Sequence, residues 1–164
     1  MNNKFFKIVT RYFPFFKHVP LIAKGYEGMQ LLMTLLMKPQ LFEYMDKIER
    51  EISSWPGIYM TSHKYGGMQF NINKKEIGHI HGSGILDILF SRSIKQTLIS
   101  REIALEHHSF KNSGWVSFYI QKSEDVTTAL KLFEWGYYLK TNQWPLNLPE
   151  FIKEEDMLPI TKFT

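Results

Sequence analysis

The feature that most constrains the fold of this chain is a change in the spacing of its apolar residues at Gly57. Before this glycine, apolar side chains recur at helical spacing, first over residues 26–37 and then over residues 41–52. After it, apolar and polar residues alternate in short runs separated by turn-forming residues, as they do in strands. These runs are 58–62, 68–72, 76–81 and 85–89. The pattern therefore predicts two helices followed by an antiparallel meander.

Two more helices and a strand complete the predicted fold. A helix over about residues 92–100 begins behind Ser91, whose side chain can cap it. A strand is predicted over residues 115–121, and a long helix begins behind Ser123. We expect an α+β domain with a single antiparallel sheet of about five strands and helices packed on one face. Two N-terminal helices and an extended C-terminal tail flank it.

The first predicted helix is almost entirely apolar. Between residues 26 and 37 its polar side chains are Glu27, Gln30 and Thr34, which share one stripe, and the rest of its circumference is rich in Met and Leu. Such a helix is expected to be buried, because its apolar surface needs a partner. Packing in the core or in a dimer is the favoured interpretation, and a lipid or cofactor surface is the alternative.

Positive charge is concentrated at the N-terminus. Residues 1–24 contain five basic residues and no acidic one, whereas the rest of the chain has 15 basic and 16 acidic residues. The folded body lacks the excess positive charge of a nucleic-acid-binding domain. The arm also contains many aromatic residues, so it is interpreted as attaching to an anionic membrane surface or as packing on protein. With no recognisable signal peptide or membrane span, we expect a cytoplasmic protein, at most peripheral to the inner membrane.

Three regions are predicted along the chain. The arm 1–24 precedes a single α+β domain over 25–140, which is helical over 25–55 and carries its motifs over 57–140. The tail 141–164 alternates prolines with apolar residues and has no glycine. We expect this tail to lie in a groove, either on its own helices or on a second subunit. A homodimer formed through the arm or the tail is therefore one prediction.

Histidine is the main candidate for chemistry, because the chain has no cysteine. In the segment 76–81, strand alternation places His79 and His81 on one face, about 7 Å apart, with Gly78 leaving room beside them. Asp87 belongs to the next predicted strand. The same region holds three further candidate side chains: His107, His108 and Trp115.

Three interpretations of this histidine cluster stay open. A metal site would take His79 and His81 as ligands, completed by another imidazole or by Asp87. Without a metal, the imidazoles would accept protons or donate hydrogen bonds, tuned by nearby carboxylates. In the third interpretation the histidines are structural and have satisfied nitrogens. Nucleotide binding and serine hydrolysis have no support, because the chain has no glycine-rich phosphate loop and no Gly-x-Ser-x-Gly motif.

The same residues carry a family resemblance. The runs concerned are 67–70, 75–81, 86–88, 107–108, 113–119 and 123–126. Over roughly residues 57–140 they resemble the bacterial domain family labelled luciferase-like, which is similar to the fungal luciferases. The fungal enzymes share the Glu-Ile-x-His-x-His core, a later histidine, a strand containing tryptophan and the terminal helix.

This resemblance implies an activity and a set of residues. Fungal luciferases oxidise the hydroxypyrone 3-hydroxyhispidin with molecular oxygen and with no known added cofactor. The resemblance therefore implies a pocket for a flat phenolic or enolic ligand, no cofactor and no bound metal. The implied catalytic residues are His79, His81 and His108. Trp115 is the implied ring-stacking residue, the family pattern does not separate His107 from His108 for the later histidine, and the further candidate ligand-binding residues are Asp87, His107, Phe70 and Glu76.

The leading functional hypothesis is an oxidoreductase of the monooxygenase or dioxygenase type that binds a small aromatic or enolic molecule. A non-catalytic interaction or dimerisation module is the alternative. The order of elements also resembles that of the YjbR-like α+β domains, some of which have been regarded as DNA-binding. A nucleic-acid partner is disfavoured by the near-neutral charge of residues 25–164.

Overall fold

The computed structural model describes residues 20–143, with side chains described from Lys24 onward. Residues 1–19 of the arm and the tail from Trp144 lie outside the described residues. The membrane or dimer contact expected of the arm, and the groove expected of the tail, therefore lie outside them too.

A single antiparallel sheet forms the centre of the described chain, as the sequence predicts. Its strands are β1 (Tyr59–Ser62), β2 (Met68–Ile72), β3 (Lys75–Ile80), β4 (Ile85–Leu89), β5 (Leu105–Glu106) and β6 (Trp115–Tyr119). They lie in the order β1-β2-β3-β4-β6-β5, so the four strands of the meander are consecutive neighbours. The additional edge strand β5 has two residues. A segment that short shows no alternation, and the sequence pattern could not reveal it.

Four helices accompany the sheet within residues 20–143, and they confirm the predicted α+β architecture. They are α1 (Pro20–Met37), α2 (Pro39–Ser53), α3 (Arg92–Ser100) and α4 (Ser123–Thr141). Proline suits the first turn of α2 because a backbone N–H at that position would have no acceptor within the helix, so its absence costs no hydrogen bond. Ser91 caps α3 as predicted, since its hydroxyl accepts the N–H of Ile94 at 3.2 Å.

The hydrophobic core lies between α4, α2 and one face of the sheet. α4 lies across β2, β3 and β4, and α2 packs beside it. Phe70 meets Phe133 of α4 with ring centroids 5.0 Å apart. Gly136 allows close contact with the sheet, because an added Cβ would lie 2.8 Å from the side chain of Ile77. Phe70, Ile77 and Ile88 lie on this face, whereas the opposite face carries His79 and Asp87.

The helix α1 turns its polar stripe, and not its apolar surface, toward the rest of the described chain. Glu27 and Thr34 are buried, whereas most of its large apolar side chains are exposed. The exposed residues are Met29, Leu31, Leu32, Met33, Leu35, Leu36 and Met37. This apolar surface is therefore not buried in the core of the described chain, and its packing in a dimer stays a prediction. A helical pattern shows which residues share a side, but not which side meets the sheet. None of the helices within residues 20–143 combines the length and apolar character needed to cross a membrane.

A bulge interrupts the pairing of β2 with β3. Phe70 pairs with Gly78 and Asn71 pairs with Glu76, so Ile77 has no partner in β2. In a regular strand, residues three apart point to opposite faces. The extra residue cancels this alternation and brings Glu76 to the same face as His79.

Candidate functional site

A row of polar side chains crosses the sheet on the face opposite α4. Cross-strand pairing aligns Gln69, His79, Asp87 and Ser117 on adjacent strands. Paired residues of antiparallel strands point to the same face. His79, Asp87 and Ser117 are buried although they are polar. The structure thus brings His79 and Asp87 together, as their predicted strands suggested.

Asp87 is the point on which the histidines converge. Its carboxylate is completely buried, and Oδ1 accepts a hydrogen bond from the hydroxyl of Ser117. Its other oxygen, Oδ2, is 3.5 Å from Nε2 of His79, 3.3 Å from Nε2 of His81 and 3.6 Å from Nε2 of His107. None of these three contacts is a well-formed hydrogen bond, so Oδ2 has no hydrogen-bond partner. Three imidazoles therefore surround one buried carboxylate oxygen.

Two further carboxylates contact the Nδ1 atoms of His79 and His81, on the side of each ring away from Asp87. Oε1 of Glu76 is 2.6 Å from Nδ1 of His79. Oε2 of Glu27, from α1, is 3.2 Å from Nδ1 of His81. The second oxygen of Glu27 also accepts a short hydrogen bond from the backbone N–H of Gly82. These contacts explain why the polar stripe of α1 faces inward, and they turn both Nε2 atoms toward Asp87.

His107 plays a different part from the other two imidazoles. Its Nδ1 accepts the backbone N–H groups of Ser109 and Phe110, at 3.0 and 3.1 Å. Because Nδ1 is an acceptor, the ring hydrogen of neutral His107 is on Nε2 and points toward Asp87. The loop that carries His107 is held by buried Lys95, whose ammonium group donates to the carbonyl oxygens of residues 111 and 113.

The remaining predicted residues take different positions. His108 is exposed and stacks on His107, with ring centroids 4.5 Å apart. It is thus His107 that faces the cluster, while the sequence had pointed to His108 for the catalytic role. The ring centroids of Trp115 and His79 are 5.4 Å apart. Phe70 lies on the other face of the sheet, in the core, and does not join the cluster.

Gly78 makes room for a strand and not for the histidines. An added Cβ would lie 2.5 Å from the carbonyl oxygen of Asp87 and 3.0 Å from the side chain of Ile88. Ile88 belongs to the face that packs on α4. The expectation that Gly78 opens space beside His79 and His81 was therefore wrong.

Three residues of the cluster were not identified as site residues from the sequence: Glu27, His63 and Ser117. His63 follows β1 by one residue, and its ring stacks on His79 with centroids 3.7 Å apart and an angle of 12° between the planes. Its Nδ1 is 3.2 Å from the carbonyl oxygen of Gly66. The sequence signals were weak, since His63 was only a histidine near a strand and Glu27 lay in a different predicted element.

Burial and charge shift the pKa values of the inner residues. Burial lowers the pKa of His81, but Asp87 and Glu27 outweigh this effect and raise it to about 9. The pKa of His79 is also raised, because Asp87 and Glu76 overcome its burial. Burial raises the pKa of the Asp87 carboxyl, yet the surrounding imidazoles and the Ser117 hydroxyl hold it well below its usual range.

His63 has the opposite behaviour. Burial, followed by repulsion from His79, lowers its pKa to about 4. At neutral pH the His63 imidazole is therefore neutral. When its Nδ1–H donates to Gly66, its Nε2 is left as a free acceptor at a half-buried position.

Among residues 20–143, two sets of donor atoms lie close enough together to hold a metal ion. One set is His79, His81 and Asp87, and the other is His63, Glu76 and His79. Within each set the ligand atoms are all within 4.8 Å of one another. The two sets share His79.

Comparison with known proteins gives one family match. The family described as Luciferase domain matches residues 74–135. This segment contains His79, His81, Asp87, His107 and Trp115, but neither Glu27 nor His63. No curated protein and no solved structure matches the chain. The match supports a luciferase-like domain in this part of the chain.

Proposed function

We propose that the luciferase-like domain binds a small aromatic or enolic molecule at the histidine face of the sheet and oxidises it with molecular oxygen. The observation that carries this proposal is the set of imidazoles around Asp87, oriented by Glu76 and Glu27. All of these residues lie within the segment that matches the luciferase family, except for Glu27 on α1.

The side chains offer what an enolic ligand needs. The flat rings of Trp115 and His63 flank His79 and can stack on an aromatic ligand. Imidazoles held by carboxylates can accept the enol proton or donate hydrogen bonds to the oxygen that loses it. His81 and His63 are less buried than His79 and form the accessible side of the cluster.

The oxidation requires no separate electron donor. Removal of the proton from an acidic enol leaves an electron-rich enolate, and this substrate itself supplies the electrons that reduce oxygen. By resemblance to the fungal luciferases, the substrate class is the hydroxypyrones, and the expected reaction is that of an oxygenase. Neither light emission nor a cofactor forms part of this proposal.

The direct experiment is titration with a hydroxypyrone of the hispidin type, followed by measurement of oxygen uptake. We expect saturable binding and ligand-dependent uptake, both weakened at least tenfold in His79→Gln and His81→Gln. Lys131→Ala is the control, because it changes a separate hollow of about 410 Å³ lined by residues of α2, of α4 and of the segment 55–56. Equal binding by the wild type and both histidine variants, or the absence of any binding, would contradict the proposal.

A second candidate function is self-association through α1, favoured by one specific observation. Seven large apolar side chains of this helix are exposed, with Leu36 exposed to 70%. Contiguous apolar surface of this kind is typical of an interaction site. Light scattering should then give the mass of a dimer for the wild type and of a monomer for Leu32→Glu with Leu36→Glu. A monomeric wild type at micromolar concentration would exclude this function.

A further inference from the structure

We propose that His79, His81 and Asp87 bind one divalent transition-metal ion. Asp87 Oδ2 is 3.5 Å from Nε2 of His79 and 3.3 Å from Nε2 of His81. First-row metals hold nitrogen and oxygen ligands at about 2.0 to 2.2 Å, so neighbouring ligand atoms of a tetrahedral ion lie roughly 3.3 to 3.6 Å apart. Both distances from Asp87 to the imidazoles already have this spacing, and the three ligand atoms lie within 4.8 Å of one another.

The state of the Asp87 carboxylate provides a second, independent observation. Its Oδ2 is enclosed by protein and has no hydrogen-bond partner, although Oδ1 is satisfied by Ser117. Buried polar atoms in folded proteins are nearly always satisfied, and a buried anionic oxygen is costly to leave without a hydrogen bond. A cation bound between Oδ2 and the two Nε2 atoms would satisfy it.

The surrounding carboxylates are those that a histidine-ligated metal needs. A metal-binding histidine usually donates its other ring N–H to a carboxylate or carbonyl, which fixes the tautomer and the ring orientation. Glu76 and Glu27 are placed to accept these hydrogens from Nδ1 of His79 and His81. Both Nε2 lone pairs then point into the space beside Asp87.

The same reasoning separates ligands from neighbours. Glu76 lies 2.6 Å from Nδ1 of His79, which is a hydrogen-bond length and is too short for two ligands of one ion. The alternative set with His63 is therefore disfavoured. His107 keeps a hydrogen on Nε2, because its Nδ1 accepts two backbone N–H groups. Its role is to orient Asp87 and not to bind the ion.

Two imidazoles and one carboxylate define the class of metal. This donor set suits Fe²⁺, Mn²⁺, Co²⁺ or Zn²⁺ and leaves coordination positions for water or another ligand. The hard ion Mg²⁺ is disfavoured, because it takes oxygen donors. The site departs from the sequence-based expectation of no cofactor, and it does not depend on the proposed enolic ligand.

Metal content tests the proposal directly. The full chain, purified without a histidine tag and dialysed against EDTA, is incubated with Fe²⁺ under nitrogen or with Mn²⁺, Co²⁺ or Zn²⁺ and then desalted. We expect elemental analysis to give about one ion per chain for at least one metal, together with a higher Tm. Clearly substoichiometric content with all four metals would overturn the proposal.

Variants locate the ion. Asp87→Asn and His81→Gln are expected to lose bound metal, and the visible absorption bands of the Co²⁺ form should disappear with it. His108→Gln is the matched control, since it removes an exposed histidine next to the cluster. Circular dichroism verifies that each variant is folded. Retention of one ion per chain by folded Asp87→Asn and His81→Gln would refute the site, whatever the result of the hydroxypyrone experiment.

Discussion

Replacing Asp87 with asparagine removes the negative charge at the centre of the histidine cluster while keeping the shape of the side chain. Asp87 is completely buried, and its carboxylate faces three imidazoles and one hydroxyl. Removing one partner of a buried charged group costs about 3 to 5 kcal/mol, because the remaining charges stay buried without compensation. An asparagine can still turn an oxygen toward the imidazoles, so we expect the lower end, about 3 kcal/mol.

The loss is measurable by urea denaturation of the EDTA-treated protein at pH 7. For a chain of 164 residues, 1 kcal/mol corresponds to about 2 to 4 °C in Tm, so in thermal denaturation the Tm should fall by about 6 to 12 °C. Asp46→Asn is the matched control. Asp46 forms an exposed ion pair with Arg50 at 2.9 Å, and such surface pairs contribute at most about 1 kcal/mol.

Two results would refute this reasoning. The first is a loss of stability in Asp87→Asn no larger than that in Asp46→Asn. The second concerns His81, whose pKa of about 9 depends on Asp87 and Glu27. Without the Asp87 charge this pKa should fall, and an NMR titration of the imidazole that found it unchanged would show that Asp87 does not control the cluster.

Three further predictions follow from the same structure. The free energy of unfolding of the metal-free protein should be greatest near pH 6.5. The stabilisation from His81 is full below its unfolded pKa and is lost as the pH rises toward about 9, whereas that from His63 is full above its unfolded pKa and is lost as the pH falls toward about 4. Urea titrations from pH 4 to 9 that show a continuous rise in stability would contradict this. Glu27→Gln should lower the pKa of His81 and should reduce the protection of α1 amides from hydrogen exchange, because it weakens the contacts of residue 27 with His81 and Gly82. Unchanged exchange would show that α1 is held by other contacts. Gly114→Ala should lower the free energy of unfolding by about 3 kcal/mol, because an added Cβ would collide with the backbone carbonyl of Phe90. Gly25→Ala has open space around it and should be neutral or stabilising by up to about 1 kcal/mol. Equal Tm values for the two variants would be inconsistent with the structure.

The elements were predictable because each has a local cause. Leu41, Met45, Ile48 and Ile52 repeat at helical spacing and are all buried in α2. The hydroxyl of Ser91 caps α3 where the sequence placed it. The strands of the meander were marked by alternation and by turn residues between them. The two-residue strand β5 has no such local signal, since its pairing with β6 alone defines it.

The site was predictable only where a local rule connects its residues. Strand alternation put His79 and His81 on one face, and adjacent strands brought Asp87 beside them. The choice between His107 and His108 could not be made, because both lie in a loop where no periodicity applies. It is decided by the backbone N–H groups of residues 109 and 110, which bind Nδ1 of His107.

By itself, the sequence determined the helices, the strands other than β5, the antiparallel sheet and the histidine pair at the end of β3, because all of these follow from periodicity within a few neighbouring residues. Only the tertiary structure decided that Glu27 reaches His81 across 54 positions of the chain, and that α1 therefore turns its polar stripe inward. It also introduced the bulge at Ile77 that brings Glu76 to His79. Long-range contacts of this kind depend on how elements pack, and a buried carboxylate such as Asp87 acquires its partners only when the strands are assembled.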